Sequence, residues 1–183
     1  MKGGVGLFMA LGVLETLGRL QAKDYLTLAN ATSGLMAILF ALFPVSLAPF
    51  YFIVFAMFFD YMDGKVARRM KKADAFGKQL DSLADGVSFA AAPAVLVLVN
   101  NFNDVLAIAG GVVYACAGLI RLANYNLQKE KKVYFGLPIP AAAFGVVSVF
   151  YLSYYSFLPY FTGWLALYAA SALMLSRFKL KKI

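Results

Sequence analysis

The sequence predicts an all-α integral membrane fold: six transmembrane helices preceded by an N-terminal amphipathic juxtamembrane helix. Three observations carry that expectation. Of 183 residues, 62% are hydrophobic and the mean hydropathy is +0.75, against roughly 45–50% apolar residues in soluble domains. The apolar residues fall in long charge-free runs such as 47–59 and 87–99. The Lys and Arg behind the net charge of +8 collect in the N-terminal region, 65–78, 121–132 and 177–182, while the connections near Pro44, 100–104 and 156–163 hold none. That asymmetry is expected of loops facing the cytoplasm and its anionic lipid, and it argues against nucleic acid as the partner of so basic a chain.

Taken in order, residues 1–23 are moderately apolar but interrupted by Glu15, Arg19 and Lys23. Their charge-free run, Gly3–Leu14, is shorter than the about 20 residues a spanning helix needs. No small-residue cleavage site follows a clean apolar core, so an interfacial helix on the cytoplasmic side is expected. Leu26–Phe43 is the first expected span, closed by Pro44 and carrying Asn30, Thr32 and Ser33 near its cytoplasmic end. Such hydroxyls bond back to their own helix or pack against a neighbour; the Asn30 amide needs several partners.

Leu47–Lys72 reads as a second helix that projects into the cytoplasm, and Gln79–Val99 returns as the third after a short connection at 72–76. Residues 100–104 make the outer turn. Val105–Gln128, Leu137–Phe157 and Phe161–Ser176 complete a six-helix bundle over 25–178, with Trp164 and Tyr168 as interfacial anchors of the short last span. The whole chain, 1–183, reads as one domain without internal repeat. An even number of spans puts both termini and every basic cluster on the cytoplasmic side. The single Cys116 lies in an apolar segment and is expected as a buried, inert thiol. There is no His, so acid–base or metal chemistry falls to Asp, Glu, Lys, Tyr or backbone.

One stretch breaks the apolar pattern. DYMDGKVARRMKKADAFGKQLDSLAD, residues 60–85, sets Asp60, Asp63, Asp81 and Asp85 between two charge-free runs. Carboxylates near hydrocarbon depth are costly and point to function. On a helix Asp60 and Asp63 share a face with Gly64 and Ala67 close by; on the next, Gly77, Asp81 and Asp85 recur at a spacing of four. Antiparallel packing of the two would bring the acidic faces together near the cytoplasmic interface. Four carboxylates without compensating charge repel, and protonation or bound cations relieve that. Oxygen-only ligands favour hard divalent ions such as Mg2+, Mn2+ or Ca2+, and a pair of such ions serves in-line displacement at phosphorus. Salt bridges to Lys65, Arg68 and Arg69 would account for one or two acids, not for four in two stripes.

The pattern Asp60-x2-Asp63-Gly64-x2-Ala67-Arg68-x8-Gly77-x3-Asp81-x3-Asp85 resembles, at all its fixed positions, the signature of the CDP-alcohol phosphotransferase family. The resemblance implies two divalent cations, Mg2+ or Mn2+, held by Asp60, Asp63 and Asp81 with Asp85 also close and counted among the ligands. It further implies a nucleotide pocket shaped by Asn30, Ser33, Gly64, Ala67, Arg68 and Gly77, and Asp85 as the base that deprotonates the acceptor hydroxyl.

Within that family, AFGKQLDSLADGVSFAAAPA (75–94), GLIRLANYN (118–126) and YFGLPIPAAA (134–143) look like the phosphatidylserine synthase branch. Tyr125 supplies the aromatic typical of that branch, whereas Asn124 stands where Arg is commoner. The reaction so implied is transfer of the lipid phosphate group of CDP-diacylglycerol, or of a CDP-linked ether lipid, to the hydroxyl of L-serine, with release of CMP. Arg121 offers a fixed cation for the serine carboxylate, or a positive-inside anchor. Asn124 and Pro138 complete the expected acceptor residues, and the stiff segment 136–140 either closes over the acceptor or only starts a helix. A homodimer is implied too, and Gly110, Gly111, Ala115 and Gly118 would permit close helix packing. Two other readings stand beside this one: the same chemistry with glycerol phosphate or inositol phosphate as acceptor, and a divalent-cation transporter using the acids as its transport site.

Overall fold

The computed structural model describes residues 18, 20–43, 46–70, 75–127, 134–176 and 179–180, without the side chains of 22, 68–70, 134–135 and 179–180. These residues form helices joined by short loops, with one two-residue strand pair. Helix α1 (Ala22–Ala41) lies along α2 (Ala48–Met70), and α3 (Ala75–Asp85) continues through a π-helical turn, Gly86–Ala91, into α4 (Ala92–Asn100). Then come α5 (Val105–Leu127), α6 (Ile139–Tyr154) and α7 (Thr162–Leu175). Strand β1 (Tyr134–Phe135) pairs antiparallel with β2 (Lys179–Leu180) in the register Tyr134↔Leu180 and Phe135↔Lys179. The 75–100 rod and α5 are each long and apolar enough to cross a membrane, while α6 and α7 are shorter apolar helices. The core between them is built from Phe89, Leu96, Val97, Tyr114, Val146, Val147 and Leu167, all nearly or fully buried.

Several expected boundaries move, each for a local reason. Helix α1 begins at Ala22 rather than Leu26, because Gln21 and Asp24 form a reciprocal capping box, with Gln21 N donating to Asp24 Oδ2 at 2.8 Å. Lys23 therefore belongs to the first long helix and not to a separate interfacial segment. Of the interfacial helix expected over 1–23, residues 1–17 and 19 lie outside the described residues, as do Pro44, 71–74 and 128–133. Helix α3 starts at Ala75, four residues ahead of the expected Gln79. Helix α2 starts where Ser46 Oγ accepts the Ala48 N–H at 3.2 Å, a side-chain cap of the usual kind.

The π turn has a cause in the sequence. Pro93 sits inside what would otherwise be one continuous helix. Its ring lacks an N–H and would clash with the carbonyl one turn back, and a wider π turn is one way a helix absorbs such an insult. Within that turn, Tyr114 Oη of α5 donates to the Phe89 carbonyl at 2.9 Å. Tyr114 is fully buried, so Tyr114→Phe removes that bond from an apolar core. The expected cost is about 1–3 kcal/mol, read as a lower melting midpoint in detergent with the helical circular-dichroism signal retained before the transition.

One side-chain expectation is corrected. Cys116 is exposed, not buried, because it shares the outward stripe of α5 with Val112, Val113, Leu119 and Ile120. The small residues of α5 are used inside the chain: a Cβ on Gly110 would meet Tyr168, one on Gly111 would meet Leu98, and one on Gly118 would lie 2.8 Å from Ala90 Cβ. Trp164 and Tyr168 are both half-buried. Trp164 lies against the core, and Tyr168 crosses Gly110 to donate to Leu106 O at 2.9 Å.

Candidate active site

The acidic stretch folds so that α2 and α3 deliver their carboxylates to one place. One carboxylate oxygen each from Asp60, Asp63 and Asp81 lies within 4.8 Å of the others. Three hard oxygen donors at that separation, with no His or Cys among them, fit a divalent cation of the Mg2+ or Mn2+ type. Asp85 stands one turn beyond Asp81, outside that group of three but within electrostatic reach of Asp60, Asp81 and Asp63. Its Oδ1 accepts the Asn30 Nδ2 hydrogen bond at 3.0 Å.

The remaining wall is α1, whose polar side chains follow one helical face. Thr27 Oγ1 donates to Asp63 Oδ2 at 2.8 Å, and its geometry also allows a bond to Lys23 O at 3.3 Å. Lys23 and Asp24 are both buried and within electrostatic reach of Asp63. Their side-chain ends also lie against the backbone of Gly77. A Cβ there would stand 2.5 Å from Lys23 Nζ and 2.9 Å from Asp24 Oδ1. Gly64 is the opposite case, since a Cβ there meets nothing within 4 Å; this glycine borders open space beside the acids, and Ala67 is half-buried one turn on. Asn30 is fully buried, and its Oδ1 has no hydrogen-bond partner among the described residues, an acceptor facing the acids.

Among the sequence-derived candidates, then, the fold brings Asp60, Asp63, Asp81, Asp85, Asn30 and Gly77 together. Ser33 bonds back to its own helix, donating to Ala29 O at 2.8 Å, as Thr32 does to Leu28 O. The side chain of Arg68 lies outside the described residues. Arg121 is half-buried and reaches the C-terminal end of α7, where Nη1 donates to Met174 O at 3.4 Å. Asn124 is exposed on the last turns of α5, and Pro138 is exposed as the residue preceding α6. Thr27, Lys23 and Asp24 went unread in the sequence. Their signal was the series Lys23, Thr27, Asn30, Gly34, spaced four, three and four, which is one face of a helix; ending the first segment at Lys23 cut that series in two.

A model of the CDP-alcohol phosphatidyltransferase family matches residues 21–175. The chain belongs to that family. The matched span runs from the capping box of α1 to the last residue of α7, so it includes every element that lines the acidic site. Family relatives are similar over most of it. A CDP-diacylglycerol–serine O-phosphatidyltransferase of Methanocaldococcus jannaschii is 41% identical over 121 residues, 66% of this chain and 56% of that protein. An archaetidylserine synthase of Methanothermobacter thermautotrophicus is 34% identical over 165 residues, 87% of this chain and 69% of its own length. A CDP-diacylglycerol–serine O-phosphatidyltransferase of Saccharomyces cerevisiae is 36% identical over 149 residues, 72% of this chain and 54% of the relative. The chain thus spans about half to two thirds of the length of the curated relatives it matches.

Proposed function

We propose that this family member is a membrane enzyme that transfers the lipid phosphate group of a CDP-linked lipid to the hydroxyl of L-serine, releasing CMP. The observation that carries this reading is the convergence of Asp60, Asp63 and Asp81 beside Asp85, in a chain whose relatives carry serine-transferase and archaetidylserine-synthase names. Asp60, Asp63 and Asp81 would hold the divalent cations, Mg2+ or Mn2+, as a pair. When bound, such cations neutralise the donor diphosphate and the charge that builds on departing CMP.

The chain's own residues do the rest. The open space at Gly64 admits the nucleotide, bounded by Ala67, Arg68 and Asn30. Asp85 accepts the serine hydroxyl proton as the serine oxygen forms its bond to the lipid-bearing phosphorus and the bond to CMP breaks. Asn30 holds one oxygen of Asp85 and leaves the other for that proton. Arg121 serves the serine carboxylate, and Asn124 and Pro138 border the acceptor side. Helices α1 and α2, the 75–100 rod, α5, α6 and α7 form the six-span bundle, with the acids toward the basic, cytoplasmic face of the cytoplasmic membrane and the lipid chains left in the bilayer. A second copy of the chain completes a homodimer. Holding the reactants in line and neutralising charge supply most of the acceleration in such transfers.

The test is CMP release by purified protein from CDP-diacylglycerol and from a CDP-linked ether lipid, with Mg2+ or Mn2+. Serine, glycerol 3-phosphate and inositol phosphate are compared as acceptors. Release with serine alone is expected. Release driven by a phosphorylated acceptor would keep the chemistry and overturn the acceptor. The absence of release with every acceptor, in folded protein, would favour the transport reading.

A further inference from the structure

Beyond the four acids, a buried polar joint lies between α1 and the π turn. Ser88, fully buried on that turn, donates its hydroxyl to Asn30 O at 2.9 Å. The same Asn30 donates its side-chain amide to Asp85 Oδ1 at 3.0 Å. One α1 residue therefore grips the rod twice, once through its backbone at Ser88 and once through its side chain at Asp85. Next to it Gly34 lets the two elements touch, since a Cβ there would fall against the hydroxyl and backbone of Ser88. The wide turn that carries Ser88 begins at the residue after Asp85, so the geometry of this joint and the aim of the Asp85 carboxylate are set together.

We infer that Ser88 is a positioning residue for Asp85: through Asn30 it fixes the register of α1 against the π turn and so orients the carboxylate that accepts the proton. This rests on the proposed role of Asp85 as base. It assigns to the π turn, caused by Pro93, a task in the reaction. Ser88→Ala removes only the donor. The Asn30 carbonyl keeps its place in the α1 helical ladder, so no buried polar group is left newly orphaned, which is the circumstance in which losing a hydrogen bond is nearly neutral for stability. A carboxylate displaced by a fraction of an ångström loses rate even so.

The experiment compares wild type, Ser88→Ala and Ser88→Thr. Three quantities are read: kcat and KM for CDP-diacylglycerol and for serine, the Mn2+ affinity by electron paramagnetic resonance, and the Asn30 side-chain amide signal in 15N-asparagine-labelled protein. Ser88→Ala is expected to lower kcat roughly tenfold, leave the CDP-diacylglycerol KM and the Mn2+ affinity within about twofold, and shift the Asn30 amide signal. Ser88→Thr, which keeps the hydroxyl, is expected to restore most of kcat. Wild-type kcat and an unmoved Asn30 signal in Ser88→Ala would overturn the inference. A loss shared by kcat, Mn2+ affinity and melting midpoint, unrelieved in Ser88→Thr, would overturn it too by marking a purely structural bond. If Ser88→Ala does not fold, Ser88→Cys, similar in size but a weaker donor, is read by the same criteria. Should wild type use an acceptor other than serine, the serine reading falls while the joint is still judged on kcat with that acceptor and on the Asn30 signal.

Discussion

Asp85→Asn is expected to lower CMP release by between about a hundredfold and ten-thousandfold, the usual worth of a general base, while changing Mn2+ affinity little. The separation between the two readouts follows from placement. Asp60, Asp63 and Asp81 present oxygens within 4.8 Å of one another, whereas Asp85 spends its Oδ1 on Asn30. Asparagine at position 85 keeps the size and an oxygen but cannot take up a proton. Asp81→Asn is the matched comparison. It removes one of the three converging carboxylates and is expected to weaken Mn2+ binding by at least about tenfold, a loss that even supporting partners of a metal ligand can cause, with activity falling in parallel. Mn2+ titration followed by electron paramagnetic resonance, beside CMP release, separates the cases. An equal loss of Mn2+ affinity in both variants would place Asp85 among the metal ligands themselves.

Gly136→Ala is expected to destabilise the fold strongly, and Gly64→Ala to leave it intact. Gly136 has φ +72°, a backbone conformation that costs an L side chain about 1–2 kcal/mol. Its Cβ would also press against Met174 O, with Leu173 O and Ser176 O each 3.0 Å away. These are backbone atoms, and they cannot rotate aside. They hold the segment in place, since Leu137 N donates to Leu173 O at 3.1 Å while Arg121 reaches Met174 O. Overpacking of this kind adds about 1–3 kcal/mol, so a total near 3 kcal/mol is expected, a large share of the roughly 5–15 kcal/mol that holds a typical domain. A Cβ at Gly64 touches nothing, so that variant is expected to melt as wild type does and to raise the KM for the CDP-linked donor if the open space there is the nucleotide's. Melting midpoints in detergent and donor KM, measured on both variants, check the pair. A Gly136→Ala protein as stable as wild type would show that the 136–138 segment is not held by the end of α7.

Much of the site was legible because its signal is local. Asp60 and Asp63, then Gly77, Asp81 and Asp85, repeat at helical spacing within one stretch of 26 residues, and helical periodicity alone puts each set on a face. The apolar runs and the clustering of Lys and Arg are equally local properties of composition. What went unread was decided by partners far apart in sequence. Ser88 meets Asn30 across 58 residues, and Thr27 meets Asp63 across 36; no spacing rule connects such pairs. Ser33 and Asn30 looked alike as polar residues of one apolar helix, three apart and so on neighbouring parts of one face. Spacing does not separate them, yet Ser33 bonds back to α1 while Asn30 bonds Asp85.

The sequence by itself therefore determined the helical class, the acidic pair of stripes and the family signature, since each depends on residues close enough in the chain for helix geometry to relate them. Tertiary structure alone decided that the glycines of α5 are spent against Ala90, Leu98 and Tyr168 rather than on an outer face, and that Cys116 points outward. It alone decided that Tyr114 bonds the Phe89 carbonyl in the π turn, and that Asn30 grips Asp85 and that turn at once. The physical reason is common to all four. Which face of a helix is buried, and which buried polar atom finds a partner, depends on the neighbour packed against it, and a neighbour brought in from dozens of residues away leaves no mark in the local pattern.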